Sequence, residues 1–315
     1  MKTELLADDL ALLPETLSNI ARQFETANPW QASSVSAASR LVLLGMGSSN
    51  FANQTMALRL QAIGQEVFSV IASAEALPKI QPGDVVIAVS ASGKSPEVLA
   101  AADFYKQTGA APLIALTNTP GSPLSNIADY EVLLGAEVEQ SGVATRSYHH
   151  TLAFLLALTE RNAGNAAKTA RAAHAAAEAA QSILSSSPKW GPALATQVLG
   201  TGQAFVVGAA ERFCNAQQGA LMIREIPRLA ASACETGDWS HIDVYLTKTL
   251  DYRMLLFAGS KWQPELLKWC DERDSKVSVV GADLPAAETS VRYTHDDDET
   301  VRLLIESLVP TALVA

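Results

Sequence analysis

From Leu41 to about Leu134 the chain alternates short apolar runs with helix-like segments. Leu41 to Leu44, Glu66 to Val70, Val85 to Val89, Leu113 to Leu116 and Tyr130 to Leu134 have the length and Val/Ile/Leu content of buried strands. Segments centred near Ala57, Ala100 and Leu124 read as the helices between them. That order predicts a doubly wound parallel α/β sheet with short crossovers. The pattern changes from Ala163 to Ser187, which is alanine-rich, has no strand signal and runs into Ser185-Ser186-Ser187-Pro188. It reads as a connecting helix and linker. A second α/β pattern follows, with strands at Ala204 to Val207, Met254 to Phe257 and Val277 to Val280 and a helix from about Asn215 to Arg228. The expected organisation is an N-terminal helical segment over residues 1–40, an α/β domain over 41–162, a helical linker over 163–190 and a second α/β domain over 191–315.

Polar residues cluster where the predicted strands end. Ser90-Ala91-Ser92-Gly93-Lys94-Ser95 separates the run ending at Val89 from a helix with Pro96 in its first turn. Gly45-Met46-Gly47-Ser48-Ser49-Asn50 follows Leu44 in the same way and leads into a helix expected from Phe51 to Ile63. A third turn, Thr117-Asn118-Thr119-Pro120-Gly121-Ser122-Pro123, lies at another strand's C-terminal end, where open α/β sheets place ligands. Free backbone N–H groups, the positive end of a helix dipole and several hydroxyls meet at such junctions, a setting suited to an oxyanion. GxGSS lacks the third glycine of a dinucleotide fingerprint, and GxxxxGK[ST] does not occur, so a monophosphate fits better than a nucleotide. In the second half Gly208-Ala209-Ala210 and Ala258-Gly259-Ser260 stand at the matching places, without the serines. A duplicated domain is implied, with phosphate held by the first copy.

Composition narrows the partners. The 315 residues suit two domains of similar size, and no apolar run approaches the ~20 residues of a membrane span. The N-terminus is acidic and has no signal-peptide core, and Cys214, Cys234 and Cys270 show no CxxC spacing. A cytoplasmic protein without disulfides, metal or cofactor is expected. A net charge of −10 disfavours nucleic acid and anionic membranes as partners. His149 and His150 lack a third ligand at metal spacing and read as the start of an apolar helix from Thr151 to Leu158. Asp296-Asp297-Asp298-Glu299 reads as the acidic first turn of the last helix.

Two further residues carry candidate proton chemistry. Glu225 shares a helical face with Gln218 and Met222, just before Pro227. A carboxylate at a helix C-terminus is electrostatically disfavoured, which raises its proton affinity toward that of a general base. A solvated glutamate paired with Arg224 or Arg228 is the plainer alternative. His241 lies in the polar loop Glu235 to Asp243, where Asp238 or Asp243 could orient its ring.

Taken together, GMGSS, SASGKSPE, TNTPGSPLS, the run from Glu139 to Arg146, and Gln218 through His241 make the chain resemble the sugar isomerase (SIS) family. The likeness is to the tandem-SIS isomerase half of glucosamine-6-phosphate synthase and to stand-alone sugar-phosphate isomerases, deaminases and deglycases. The resemblance implies two flavodoxin-like αβα domains in tandem. It implies phosphate and sugar contacts from Gly47, Ser48, Ser49, Ser90, Ser92 and Ser95, with Glu139 and Thr145 in the segment that closes the site. It also implies a catalytic role for Glu225, ring opening by His241 sixteen positions later, and a homodimer with shared active sites. Ala91, Gln218 and Met222 depart from the synthase pattern at positions for glutamine, glutamate and lysine, and the sequence holds neither the lysine-bearing tail nor a glutaminase domain. The expected activity is aldose–ketose isomerisation of a sugar phosphate through a cis-enediol. Deamination of an amino-sugar phosphate, deglycation of a fructosamine phosphate, or non-catalytic sensing are the alternatives.

Overall fold

A computed structural model describes residues 3–38, 40–109 and 111–315. Residues 1, 2 and 39 of the expected N-terminal segment, and residue 110 of the first expected α/β domain, lie outside them. The chain forms two compact units, one of Glu15–His174 and one of Met1–Pro14 with Ala175–Ala315. Helices α1 (Thr3–Ala11) and α2 (Leu13–Thr26) come first.

The first α/β unit continues with β1 (Arg40–Gly45), α3 (Gly47–Ala62), β2 (Glu66–Ile71), β3 (Asp84–Val89), α4 (Pro96–Thr108), β4 (Leu113–Thr117), α5 (Pro123–Ile127), β5 (Tyr130–Leu133) and α6 (Arg146–Ala157). Its five strands are all parallel, in the order β2-β1-β3-β4-β5. The central strands β3 and β4 are buried along their whole length, which only a parallel sheet covered on both faces requires. Edge strand β2 is buried at only two of its six positions. Helix α3 starts at Gly47, four residues before the expected Phe51, so Ser48 and Ser49 occupy its first turn. Proline at the start of α4 and a left-handed Gly109 at its end fix that helix at both limits.

Helix α7 (Ala167–Leu199) overturns the expectation that the alanine-rich stretch stops at Pro188. It continues through Pro188 and Pro192. Proline at 188 has no N–H for the carbonyl of Leu184, and the Ser187 hydroxyl donates to that carbonyl instead, at 2.9 Å. The serine run therefore repairs the helix that it was expected to end.

The second unit contains β6 (Gln203–Gly208), α8 (Phe213–Glu225), β7 (Ala230–Glu235), β8 (Arg253–Phe257), α9 (Gln263–Glu272), β9 (Lys276–Val280), β10 (Thr289–Val291), α10 (Glu299–Ile305) and α11 (Leu308–Val314). Its parallel sheet has the order β10-β9-β8-β6-β7. Read from the β7 edge, this is the first sheet's order repeated, with β6 in the place of β1 and β8 in the place of β3. The acidic run before α10 is divided in its work. Asp298 caps the helix by accepting from Thr300 and Val301, only Glu299 lies in the first turn, and Asp296 is paired with Arg292.

Candidate functional site

The C-terminal ends of β1, β3 and β4 meet around a cavity of about 420 Å³ in the first unit. Ser48, Ser49, Ser90, Ser92 and Ser95 line it, together with Asn118 and Thr119 of the third loop. The loops are held against one another by their backbones. Ala91 O accepts from Asn118 N at 2.9 Å and from the Thr117 hydroxyl at 3.1 Å, and Leu124 N donates to Gly93 O at 3.1 Å. Gly93 sits at φ 61°, and a Cβ there would lie 2.1 Å from Ser122 Oγ. Only glycine meets both demands, so this contact fixes how closely the β3 and β4 loops approach. Among the described residues no lysine or arginine lines the cavity, and Glu139 is the one charged wall residue. The polar groups facing it are hydroxyls, an amide and the first turns of α3 and α4.

Two expected contacts have other work. Glu139 accepts from Thr145 N at 2.6 Å, Thr145 Oγ1 at 3.0 Å, Ser147 N at 3.2 Å and Ser147 Oγ at 2.6 Å. It thereby caps α6 and closes the segment 139–145 on itself. Thr145 is buried inside that closure, and neither it nor Gly47 lines the cavity. Asn118 was not singled out from sequence. Its amide donates to Glu137 O at 2.6 Å and accepts from Ala136 N at 2.8 Å, which ties the third loop to the cavity wall. The TNTPGSPLS turn held the signal for it.

Glu225 and His241 both stand in the second unit. Glu225 is the last residue of α8, exposed at its edge, and neither Arg224 nor Arg228 forms an ion pair with it among the described residues. Surrounding protein raises its carboxyl above the ordinary glutamate range, against a lowering pull from Arg224. The direction is the one expected, but its cause is desolvation by neighbouring protein and not the helix terminus. His241 closes a one-turn 3₁₀ helix (Asp238–Ser240) and lines a cleft of about 400 Å³ with Glu235, Asp238, Ser240, Trp262 and Glu265. Neither Asp238 nor Asp243 is bonded to its ring among the described residues, and Asp243 accepts the Tyr252 hydroxyl at 2.8 Å.

The histidine pair is structural. Helix α6 begins at Arg146, so both residues lie inside it, and His150 is fully buried. His150 bonds Leu134 O at 2.8 Å and Thr16 Oγ1 at 3.1 Å. Burial lowers its pKa to about 4, so the ring is neutral. Cys214, Cys234 and Cys270 are buried, and none of them forms a disulfide among the described residues. Among the described residues no group of three or more His, Cys, Asp or Glu could hold a metal, and no helix is long and apolar enough to cross a membrane.

In the second unit the place after β6 and β8 is filled by side chains. Arg212 opens α8 with 1% of its side chain exposed. It pairs with fully buried Glu306, donates to Glu299 at 2.9 Å and donates to Ala258 O at 2.7 Å. Arg302 adds bonds to Ala258 O at 3.3 Å and Gly281 O at 2.8 Å. Burial raises the Glu306 carboxyl to about 7, against the pull of Arg212.

The first unit is thus a parallel sheet with a hydroxyl-lined crevice at its switch point. Residues 34–161, which lie within the first unit, match the SIS domain. The match is one SIS domain, where two in tandem were expected. Over 281 residues the chain is 27% identical to a glutamine–fructose-6-phosphate aminotransferase (isomerizing) of Sulfurisphaera tokodaii, covering 88% of this chain and 45% of the relative. The chain thus spans about half the length of that relative. Its fold is shared by tagatose-6-phosphate ketose/aldose isomerase of Escherichia coli, with a TM-score of 0.78, 18% identity and 98% and 91% of the two chains covered. Glucosamine-6-phosphate deaminase of Thermotoga maritima gives 0.70, 17%, 98% and 93%.

Proposed function

We propose that the chain is a sugar-phosphate enzyme of the aldose–ketose isomerase type, built from two SIS-like units. The carrying observation is the cavity of about 420 Å³ at the β1, β3 and β4 loops, where five serines converge with two helix first turns. These groups suit a phosphate held by hydroxyls and backbone amides. The repeated strand order supports a second SIS-like unit whose own crevice has closed. Glu225, with its raised carboxyl, moves a proton between C1 and C2 through a cis-enediol, and exposed His241 moves one between the ring oxygen and O1. Positioned acid–base groups of this kind contribute ~10²–10⁴-fold. Similarity to a ketose/aldose isomerase and an isomerizing aminotransferase supports the same chemistry.

One observation favours an amine-releasing variant. Three carboxylates, Glu235, Asp238 and Glu265, line the His241 cleft, and among the described residues no lysine or arginine joins them there. Such walls suit a substrate with a cationic nitrogen, as an amino-sugar phosphate has. Incubation with fructose 6-phosphate, glucosamine 6-phosphate and a fructosamine phosphate, scored for isomer, ammonia and amino acid, separates the reactions. Glu225→Gln is expected to bind the substrate and turn over nothing. Binding by the wild type with no turnover of any aldose, ketose or amino-sugar phosphate would make the chain a sensor. Shared sites between two chains are tested by mixing Glu225→Gln with His241→Ala protein. Recovery of activity places the two residues of one site on different chains, whereas a dead mixture with verified subunit exchange places them on one.

A further inference from the structure

His241 is exposed, yet the loop carrying it is anchored in the core two residues to either side. Trp239 is fully buried and Asp243 is 8% exposed. Both are fastened to one group, the Tyr252 hydroxyl. Trp239 Nε1 donates to that oxygen at 2.9 Å, and the hydroxyl donates to Asp243 Oδ2 at 2.8 Å. The Tyr252 ring is itself immobilised. It is 2% exposed, stacks on Phe205 at 4.1 Å between centroids, and meets Trp239 edge-on at 6.0 Å. Beyond Asp243, Arg273 donates to Val244 O at 2.6 Å and to the Thr247 hydroxyl at 3.1 Å, extending the anchorage. Between the anchors Ile242 is 54% exposed and His241 N bonds Asp238 O at 2.9 Å.

We infer that Tyr252 is the positioning residue for His241, its hydroxyl joining the two sides of the loop into one rigid mount. A hydroxyl placed between an indole N–H and a carboxylate satisfies both buried groups at once, and its loss leaves each without a partner. The phenylalanine ring of Tyr252→Phe keeps the stacking and removes only that bridge. The inference rests on the proposed role of His241 for its catalytic consequence, and on geometry alone for the positioning.

Two measurements test it. The first is the imidazole proton resonance of His241, assigned by its loss in His241→Ala. In Tyr252→Phe this resonance is expected to broaden or split. In Val206→Ala, a cavity on the opposite face of the sheet from Phe205 and Val207 and outside the apolar cluster that holds Tyr252 and Trp239, it is expected to hold its position and width. An unchanged resonance in Tyr252→Phe, or an equal change in Val206→Ala, would overturn the inference. The second is a double-mutant cycle on turnover. Tyr252→Phe is expected to lower kcat about tenfold with KM within about twofold, the scale of one hydrogen bond, and to have no further effect on the residual single-turnover rate of His241→Ala. An equal loss in both backgrounds would make Tyr252 a general stability residue and overturn its positioning role. Full activity in His241→Ala would overturn the proposed role of His241 instead, and the resonance would still decide the positioning.

Discussion

The same strand order, 2-1-3-4-5 counted within each sheet, ends in an open hydroxyl-lined crevice in one unit and in a plug of charged side chains in the other. Both places lie at the switch point, where two neighbouring strand ends feed helices on opposite faces. In the first unit the residues opening the helices are small, Gly47-Ser48-Ser49 and Ser95-Pro96, and leave room for a guest. In the second, Arg212 opens the helix and is large enough to fill the space itself, with Glu299 and Glu306 answering its charge. The fold supplies the position, and the first side chains after each strand decide whether it stays empty.

The most severe way to break this comparison is to unplug the closed crevice. Glu306→Ala leaves buried Arg212 without its buried partner and is expected to destabilise the protein by about 3–5 kcal/mol in denaturant or thermal unfolding. A loss below about 1 kcal/mol would show that the pair does not hold the second unit closed. Ser92→Ala tests the open crevice. It is expected to raise KM for a phosphorylated sugar about ten- to a hundredfold and to leave the unphosphorylated sugar unaffected, as one hydrogen bond to a charged group implies. A comparable loss on both sugars would assign the loop another task. The smallest effect is in pH. A general base works deprotonated, and the Glu225 carboxyl lies above its ordinary value, so kcat/KM is expected to fall as pH drops through that raised value rather than near 4.5. Arg224→Gln removes a lowering influence and is expected to move that limb further up, while an acid limb at or below the ordinary value would separate Glu225 from the proton transfer.

Much of the frame was legible because central parallel strands are buried on both faces and appear as unbroken apolar runs, as in Val85–Val89 and Met254–Phe257. Strands β7 and β10 were not, since Ala230–Glu235 and Thr289–Val291 lie at sheet edges and carry small or polar residues. The serine loops were legible from hydroxyls following a strand. The internal bonds of Glu139, which also stands in the cavity wall, were not, because a carboxylate that caps its own segment carries no local sign of it in sequence. The plug was the least visible feature. Arg212 meets Glu299 and Glu306 across 87 and 94 positions of chain, with no local pattern to announce it. Helix α7 shows the reverse case, a serine-proline sequence that reads locally as an end and is carried through by the Ser187 hydroxyl.

Among the described residues no lysine or arginine stands in the cavity wall, and loading a phosphate there has two electrical consequences, of which only the second depends on that wall. A phosphate guest keeps its roughly two negative charges and adds them to a chain already at −10. Loading is therefore expected to speed migration toward the anode in a native gel, where a lysine-lined pocket would give the same increment and a protonated guest a smaller one. The wall differs in what happens to small ions in solution. With no basic side chain among the lining residues to hold a counter-anion beforehand, none is expelled when the guest enters. Added salt, by screening the guest's repulsion from a chain at −10, is expected to tighten binding where a lysine-lined pocket would lose affinity.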